Sequence, residues 1–474
     1  MNFSSPIFIF IFLPVTWLIC ALIKRNRAQN IILAVLSLAF YAFGGLVSLP
    51  LFLVSVAVYY LAGLILMKQL PCGRTVLILT IVLNLLVLCI CKYTDFCILN
   101  INRVFSSNLK TLDIILPLAI SFYTFQGISY VIDTYRNPEN GTRDFFDFLL
   151  FMSFFPQLIQ GPILRFSDFS PRLYGRKTEP EQTVRGIRRF ITGLAKKVII
   201  SNSVAVISDR VFGMLSGSVI DWRLAWLAGI CYALQIYYDF SGYSDMAVGL
   251  AEMFGFSISE NFRFPYGAAS VREFWRRWHI SLSSWFRDYV YIPLGGSRKG
   301  KLRTRINRMI VFICTGVWHG ANWTFVVWGI CHGILSDLED DGIIPVQKLS
   351  KTSAGKVLCR IYTLLSVMLL FVIFRADSIA DGWLIIKSMF SFRTVSSGAY
   401  MLGSMLTGAA CFVILLGMLL AGNLAPRLKA AAAELEERYT AVSVTGTVLS
   451  LLLFVLCVFA MSRGGFESFI YAAF

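Results

Sequence analysis

The sequence predicts an all-α, polytopic membrane protein, with about 11–13 transmembrane or re-entrant helices. Three observations carry this expectation. Of the 474 residues, 57% are hydrophobic and only 15% charged, whereas soluble domains hold about a quarter charged and ~45–50% apolar residues. The apolar residues lie in runs long enough for spans of ~20 residues, and the mean hydropathy is +0.69. The 43 Lys and Arg outnumber the 27 Asp and Glu, a formal charge of +16. These cations gather in short loops between apolar runs, as the positive-inside rule expects at an anionic cytoplasmic leaflet. A soluble globular domain and a disordered chain are both excluded. Membrane lipid is the expected surrounding, and nucleic acid is not an expected partner.

The apolar run Pro6–Ile23 comes first, with Lys24, Arg25 and Arg27 behind it and no Lys or Arg ahead. That is a signal-anchor pattern, which places the N-terminus outside the cytoplasm of a multi-pass cell-membrane protein. Leu18-Ile19-Cys20 is only a weak echo of a lipoprotein site, because the residue before the Cys is bulky. Further runs follow at 30–46, 48–66, 75–92 and 112–133. Residues 145–163 contain Pro156, Gly161 and Pro162 and read as a broken or re-entrant helix. A basic loop (Arg172, Arg176, Lys177, Arg185) leads to spans near 190–212 and 222–256, the second expected to break at Gly242. Apolar segments then run at 309–335, 358–375, 380–392, 400–421 and 442–461. Arg427–Arg438, with Glu434, Glu436 and Glu437, reads as a short surface helix. The organisation expected is one integral-membrane domain over 1–474: N-terminal helices 1–140, a core 141–380 and C-terminal helices 381–474. The 11 cysteines form no CxxC pair and read as small hydrophobes. With only three histidines, no metal site is expected.

Residues 263–308 hold eleven Lys/Arg against Glu273 and Asp288, so they are expected at the cytoplasmic interface. Within them, Val271–Tyr289 reads as one helix. Arg272, Arg276, His279 and Ser283 share one face, and Trp275, Trp278, Leu282 and Trp285 another, until Pro293 and Gly295-Gly296 stop it. Two readings stay open: an interfacial helix anchored by Trp and Arg, or a mouth where Arg272, Arg276 and Arg277 bind a phosphate-bearing donor.

In Gly316-Val317-Trp318-His319-Gly320-Ala321-Asn322-Trp323 a lone His lies in an apolar segment. An ionisable group at that depth is a functional candidate, and imidazole suits proton transfer near neutral pH. Gly316 and Gly320 leave room for a backbone or a thin substrate, and Asn322 at i+3 is expected to flank His319. The alternative is a His that only joins two helices. His332, ~220° further around the same helix, reads as structural. In Tyr237–Asp245, the buried-looking Asp239, Ser241 and Asp245 either pair with Arg, orient a His, or bond between helices. No nucleophile elbow and no P-loop are present.

Four stretches now make the sequence recognisable: Phe154–Ile163 (FFPQLIQGPI), Tyr238–Asp245, Arg272–Gly296 and Val317–Trp328, with Phe374-Arg375-Ala376-Asp377 a weaker fifth. Together they resemble the membrane-bound O-acyltransferase family. Tyr291-Ile292-Pro293-Leu294-Gly295-Gly296 is similar to its alginate O-acetyltransferase branch. The resemblance implies a ring of tilted helices around a thin core with a tunnel, a catalytic His at His319 and a second family His at His279. It implies no bound cofactor. The donor substrate is an acyl thioester, acetyl-CoA or an acyl carrier protein. The acyl group, most simply acetyl, crosses the membrane to an extracytoplasmic acyl-accepting protein that modifies an exopolysaccharide. The tail Phe469–Phe474 departs from the branch's aromatic-rich ending.

On this reading His319 is general base, His279 and Arg272, Arg276 and Arg277 hold the donor beside Trp278, and Asn322 or Trp318 donates to the oxyanion. A D-alanyl transferase acting on teichoic acid and a non-enzymatic transporter or scaffold are the alternatives.

Overall fold

The fold is taken from a computed structural model, which describes residues 2–176, 179–215, 220–395, 397–438, 440–463 and 469–470. Lys177 of the basic loop and residues 471–474 of the tail lie outside the described residues. Among the described residues every regular element is a helix. In chain order they are α1 (Leu13–Leu22), α2 (Asn26–Gly45), α3 (Leu49–Leu66), α4 (Gly73–Phe105), α5 (Ile120–Arg136), α6 (Phe145–Ser153), α7 (Phe155–Leu158), α8 (Phe166–Phe169), α9 (Pro180–Ala195), α10 (Asn202–Phe212) and α11 (Trp222–Met253). They continue with α12 (Val271–Arg277), α13 (Ile280–Phe286), α14 (Lys301–His319), α15 (Trp323–Asp340), α16 (Val346–Leu349), α17 (Ser353–Arg375), α18 (Ile379–Met389), α19 (Gly398–Met405), α20 (Gly408–Ala421), α21 (Leu424–Arg438) and α22 (Thr440–Arg463).

Five helical runs are long and apolar enough to cross a membrane: Asn26–Leu66, Gly73–Phe105, Pro180–Phe212, Ser353–Arg375 and Val442–Ser462. The pair α19 and α20, bent by 74°, makes a sixth if counted as one span. The chain is thus an all-α, multi-pass membrane protein. Four differences from the expected elements lie outside Val271–Tyr289. The run 112–133 enters helix only at Ile120. Residues 400–421 are two helices, because Leu406 leaves the helix and Thr407 caps the next one. The segment 309–335 is a hairpin, α14 and α15, turned at Gly320–Asn322. The fourth is Gly242, which does not break α11. A Cβ there would lie 2.8 Å from the carbonyl of Gly193. The glycine is needed for a close helix crossing, the usual way helices associate where no hydrophobic force separates them from lipid.

The chain divides into two compact units. The first holds the described residues up to Phe190 together with Tyr243–Ser259. Its core is aromatic: Phe155 meets Phe8, Phe40 and Phe254, and Phe169 stacks on Phe256 at 4.8 Å. α3 and α5 interlock through Gly63 under the Tyr130 ring and Gly127 under the Tyr59 ring, where any Cβ would overlap the ring. The motif at 154–163 breaks as expected: α6 stops at Ser153, Phe154 leaves the helix, and α7 is a single turn. Arg176 is buried and bonds Asn30, which also bonds Asp147.

The second unit holds Ile191–Gly242 and the described residues from Glu260 to Ile470. It contains α10, α12 to α22, and all three histidines. An ion pair in it joins Lys197 to Asp239 at 2.6 Å, both side chains buried. Asp239 also accepts the Ile470 N–H at 2.8 Å, and the Phe469 ring covers the Lys197 ammonium at 4.8 Å.

Candidate active site

The site is built on the α14–α15 hairpin. Two glycines bring its helices together: a Cβ on Gly316 would stand 2.3 Å from the Phe325 carbonyl, and one on Gly329 2.4 Å from that of Phe312. The space that Gly316 leaves is therefore taken by the backbone of α15, and Gly320 lies under the Phe325 ring. α14 ends on His319. Asn322 then caps α15, accepting the Thr324 N–H at 3.1 Å while donating to the Asp377 carbonyl at 2.9 Å. Its amide is committed to the turn. It does not flank His319 on a common helix, and this corrects its expected role as an oxyanion donor.

His319 is buried within an aromatic box of Trp318 (5.0 Å between centroids), Trp328 (5.2 Å) and Phe374 (5.2 Å). Trp318 also meets His279 at 5.9 Å, so one indole touches both His319 and His279. Trp278 is buried among Phe262, Phe274 and Phe371.

The expected single helix over Val271–Tyr289 is broken at Trp278–His279. α12 stops at Arg277, and His279 takes a left-handed conformation, φ 44°, before α13 begins. The face shared by Arg272, Arg276, His279 and Ser283 therefore does not exist. A left-handed non-glycine residue is strained and needs its surroundings to hold it. Here the holder is Asn261, buried and absent from the sequence-based expectation. Its backbone carbonyl accepts the Ile280 N–H at 3.0 Å. Its side-chain Oδ1 accepts the Ser281 N–H at 3.1 Å and the Ser281 hydroxyl at 3.0 Å, and faces His279 Nδ1 at 3.3 Å.

An oxygen that already accepts an amide N–H is an acceptor, so His279 Nδ1 carries the proton. The Nε2 lone pair is left inward, buried and without a partner among the described residues. Burial pushes the imidazole down to about 3, so it stays neutral and able to accept a hydrogen bond.

The far end of the hairpin is charged. Arg308 bonds Asp337 at 2.6 Å and Asp340 at 2.8 Å, Arg305 pairs with Asp341, and Arg272 with Asp340, both at 2.5 Å. The Arg308 hydrogen bond holds Asp340 below the usual carboxylate range. Glu339 accepts the Val271 and Arg272 backbone N–H groups at 2.7 and 3.1 Å. Ser270 caps α12, its hydroxyl accepting the Glu273 N–H, while the Glu273 carboxylate reaches back to accept the Ala269 N–H.

The three arginines expected to hold the donor are thus not three free cations. Arg272 is paired to Asp340, and Arg277 pairs with Glu273. Arg276 is exposed and makes no ion pair among the described residues. Arg272 and Arg276 do share a cavity of about 230 Å³ with Ser270, Glu273, Glu339, Val346 and Gln347.

The supporting acids are both held by cations. Asp245, in the first unit, pairs with Arg189 at 2.9 Å. Asp239, in the second, pairs with Lys197, and the Ser241 hydroxyl is buried without a partner among the described residues. Pairing with cations, one of the three open readings, is what both carboxylates do. Among the described residues no group of three or more His, Cys, Asp or Glu is placed to hold a metal. His332 is not on the His319 helix at all. It lies on α15, 4.9 Å from Trp328 and 5.2 Å from Trp275. Trp328 and Phe374 fall within the stretches that carry the resemblance but were given no role, and Asn261 and Glu339 were not singled out from the sequence, because no helical spacing links them to either histidine.

Residues 138–380 match the family model of MBOAT, the membrane-bound O-acyltransferase family. A Pseudomonas aeruginosa protein named probable alginate O-acetylase AlgI is 39% identical, over 83% of this chain and 76% of its own length. A Helicobacter pylori peptidoglycan O-acetyltransferase is 36% identical, over 83% of this chain and 80% of its own. A Bacillus subtilis teichoic acid D-alanyltransferase is 28% identical, over 46% of this chain and 57% of its own. The chain belongs to the membrane-bound O-acyltransferase family. It is an acyltransferase, held in the membrane by several helices.

Proposed function

We propose that this protein takes an acetyl group from a cytoplasmic thioester and delivers it across the membrane for O-acetylation of an extracytoplasmic polysaccharide. The observation that carries the reading is the position of His319. It ends α14, 11 and 14 residues beyond the Arg308 and Arg305 of the Arg–Asp cluster, about 17–21 Å along the helix at 1.5 Å per residue. By the positive-inside rule the basic end faces the cytoplasm, so the imidazole stands toward the opposite face. The cavity at Arg272 and Arg276 is the donor's entrance, and acetyl-CoA and an acetyl-loaded carrier protein are the candidate donors.

The chemistry follows from the side chains. His319 removes the proton of the acceptor hydroxyl as its oxygen attacks the thioester carbonyl. The C–O bond forms, the C–S bond breaks, and the imidazolium returns the proton to the departing thiolate. His279, neutral with a free Nε2, accepts a hydrogen bond from the bound substrate and helps to orient it. The acceptor on the far side is a hydroxyl of a partner protein that then modifies the polymer. The extents of similarity to the alginate and peptidoglycan O-acetyltransferases favour acetyl over D-alanyl transfer.

His319→Ala in purified protein tests the central role. Thioester-dependent transfer should fall by ~10²–10⁴-fold with the unfolding temperature preserved. Turnover at the normal rate would remove His319 from the mechanism. Mass steps of ester-linked acetyl on surface polysaccharide, lost with the gene, test the substrate class.

A further inference from the structure

α15 carries an unusual stripe. Thr324, Trp328 and His332 follow at four-residue intervals, so they line one side of the helix over about 12 Å. All three are buried. Thr324 Oγ1, Trp328 Nε1 and His332 Nε2 find no hydrogen-bond partner among the described residues.

The chemistry of these atoms is one-sided. An indole N–H only donates. His332 Nδ1 accepts the Trp275 Nε1–H at 3.2 Å, which leaves the proton of the neutral ring on Nε2. The threonine hydroxyl is free to donate as well. Buried donors are normally satisfied, and each one left without an acceptor is costly. Three in succession on one face do not belong to an apolar core. The stripe also has a direction. Trp328 touches the His319 ring at 5.2 Å, and His332 stands two turns before Glu339, which lines the cavity with Arg272 and Arg276.

We infer that Thr324, Trp328 and His332 form a recognition track for the neutral, amide-bearing arm of the donor, each giving a hydrogen bond to a carbonyl oxygen. This rests on the thioester-donor reading above and deepens it. A row of uncharged donors suits an arm whose acceptors are amide and thioester carbonyls, and the phosphates stay outside by Arg276. The pantetheine arm is common to coenzyme A and to carrier proteins, so the track recognises the shared part. His332, which helix periodicity alone assigns to structure, becomes a substrate-binding residue.

Binding to the purified full-length protein in detergent tests this without a known acceptor. The probes are coenzyme A, adenosine 3′,5′-bisphosphate (coenzyme A without its arm), and a carrier protein with and without its pantetheine. Either coenzyme A or the pantetheine-bearing carrier should bind wild type, and which one does so identifies the source of the arm. His332→Phe and Thr324→Val should each weaken that ligand about five- to tenfold, as loss of one neutral hydrogen bond does. The armless counterpart should be weakened far less. His332→Gln, which keeps an N–H, should recover most of the loss. If His332→Phe does not fold, Thr324→Val carries the test. Equal weakening of ligands with and without the arm would assign the stripe to packing or ordered water and overturn the inference, as would no weakening. Wild type that binds neither arm-bearing ligand would overturn the donor reading and the track together.

Discussion

Asn261→Leu is the most informative single change at the site. The side chains are of similar size, so the substitution removes an acceptor without opening a large hole. Asn261 Oδ1 serves Ser281 N–H, the Ser281 hydroxyl and His279 Nδ1. The hydroxyl can rotate to another acceptor; the other two donors cannot. A stranded buried donor costs ~1–3 kcal/mol, so two give about 3 kcal/mol, roughly a hundredfold in the folding equilibrium. The Ile280 N–H bond to the Asn261 carbonyl survives, and the helix break should persist. Chemical unfolding in detergent, followed by tryptophan fluorescence, measures the loss. Transfer activity should fall as well, because the His279 tautomer is no longer set. Asn261→Asp separates the two effects: it keeps an acceptor but places a negative charge beside Nδ1, favouring the imidazolium and costing activity at neutral pH more than stability. An Asn261→Leu protein within ~0.5 kcal/mol of wild type and equally active would refute this account of the break.

Two further outcomes are expected. Lys197→Met should destabilise by ~3–5 kcal/mol, because it leaves the Asp239 carboxylate buried and unpaired; Lys197→Met with Asp239→Leu should recover much of that, and equal losses in the single and double variants would count against the pair. His279 gives a pH dependence with a definite sign. Its folded value, about 3, lies below the ordinary 6.5, so the unfolded chain binds the extra proton. Stability is then full above pH ~6.5 and declines as pH falls toward 3; His332, buried and lowered in the same way, adds a like slope, so unfolding at pH 7 and pH 5 should show a shallower slope in His279→Gln than in wild type.

Much of this protein was legible before any coordinates. Long apolar runs between basic loops force helices that cross a bilayer, since a spanning backbone must satisfy its own hydrogen bonds. Pro156 and Gly161 announced the break in 145–163. The WHGANW and RRWHISLSSWFRDY stretches marked His319 and His279, because rare polar groups in apolar sequence stand out whatever the fold.

Other features were hidden because periodicity assumes an unbroken helix. It put Asn322 beside His319 and His332 behind it, when a turn at Gly320–Asn322 makes the first a cap and moves the second to another helix. It put His279 on an arginine face, when a left-handed residue held from 18 positions upstream ends that face. The arginines looked like free anion binders because the acids that pair two of them lie on α15 or come from the same short helix. Composition and local pattern thus determined the membrane and the helices and drew attention to His319 and His279, since these depend on burial and on neighbours within a turn or two. Tautomers, ion-pair partners and the donor stripe on α15 were decided only by tertiary structure, because each depends on an atom supplied from elsewhere in the chain or on the absence of one.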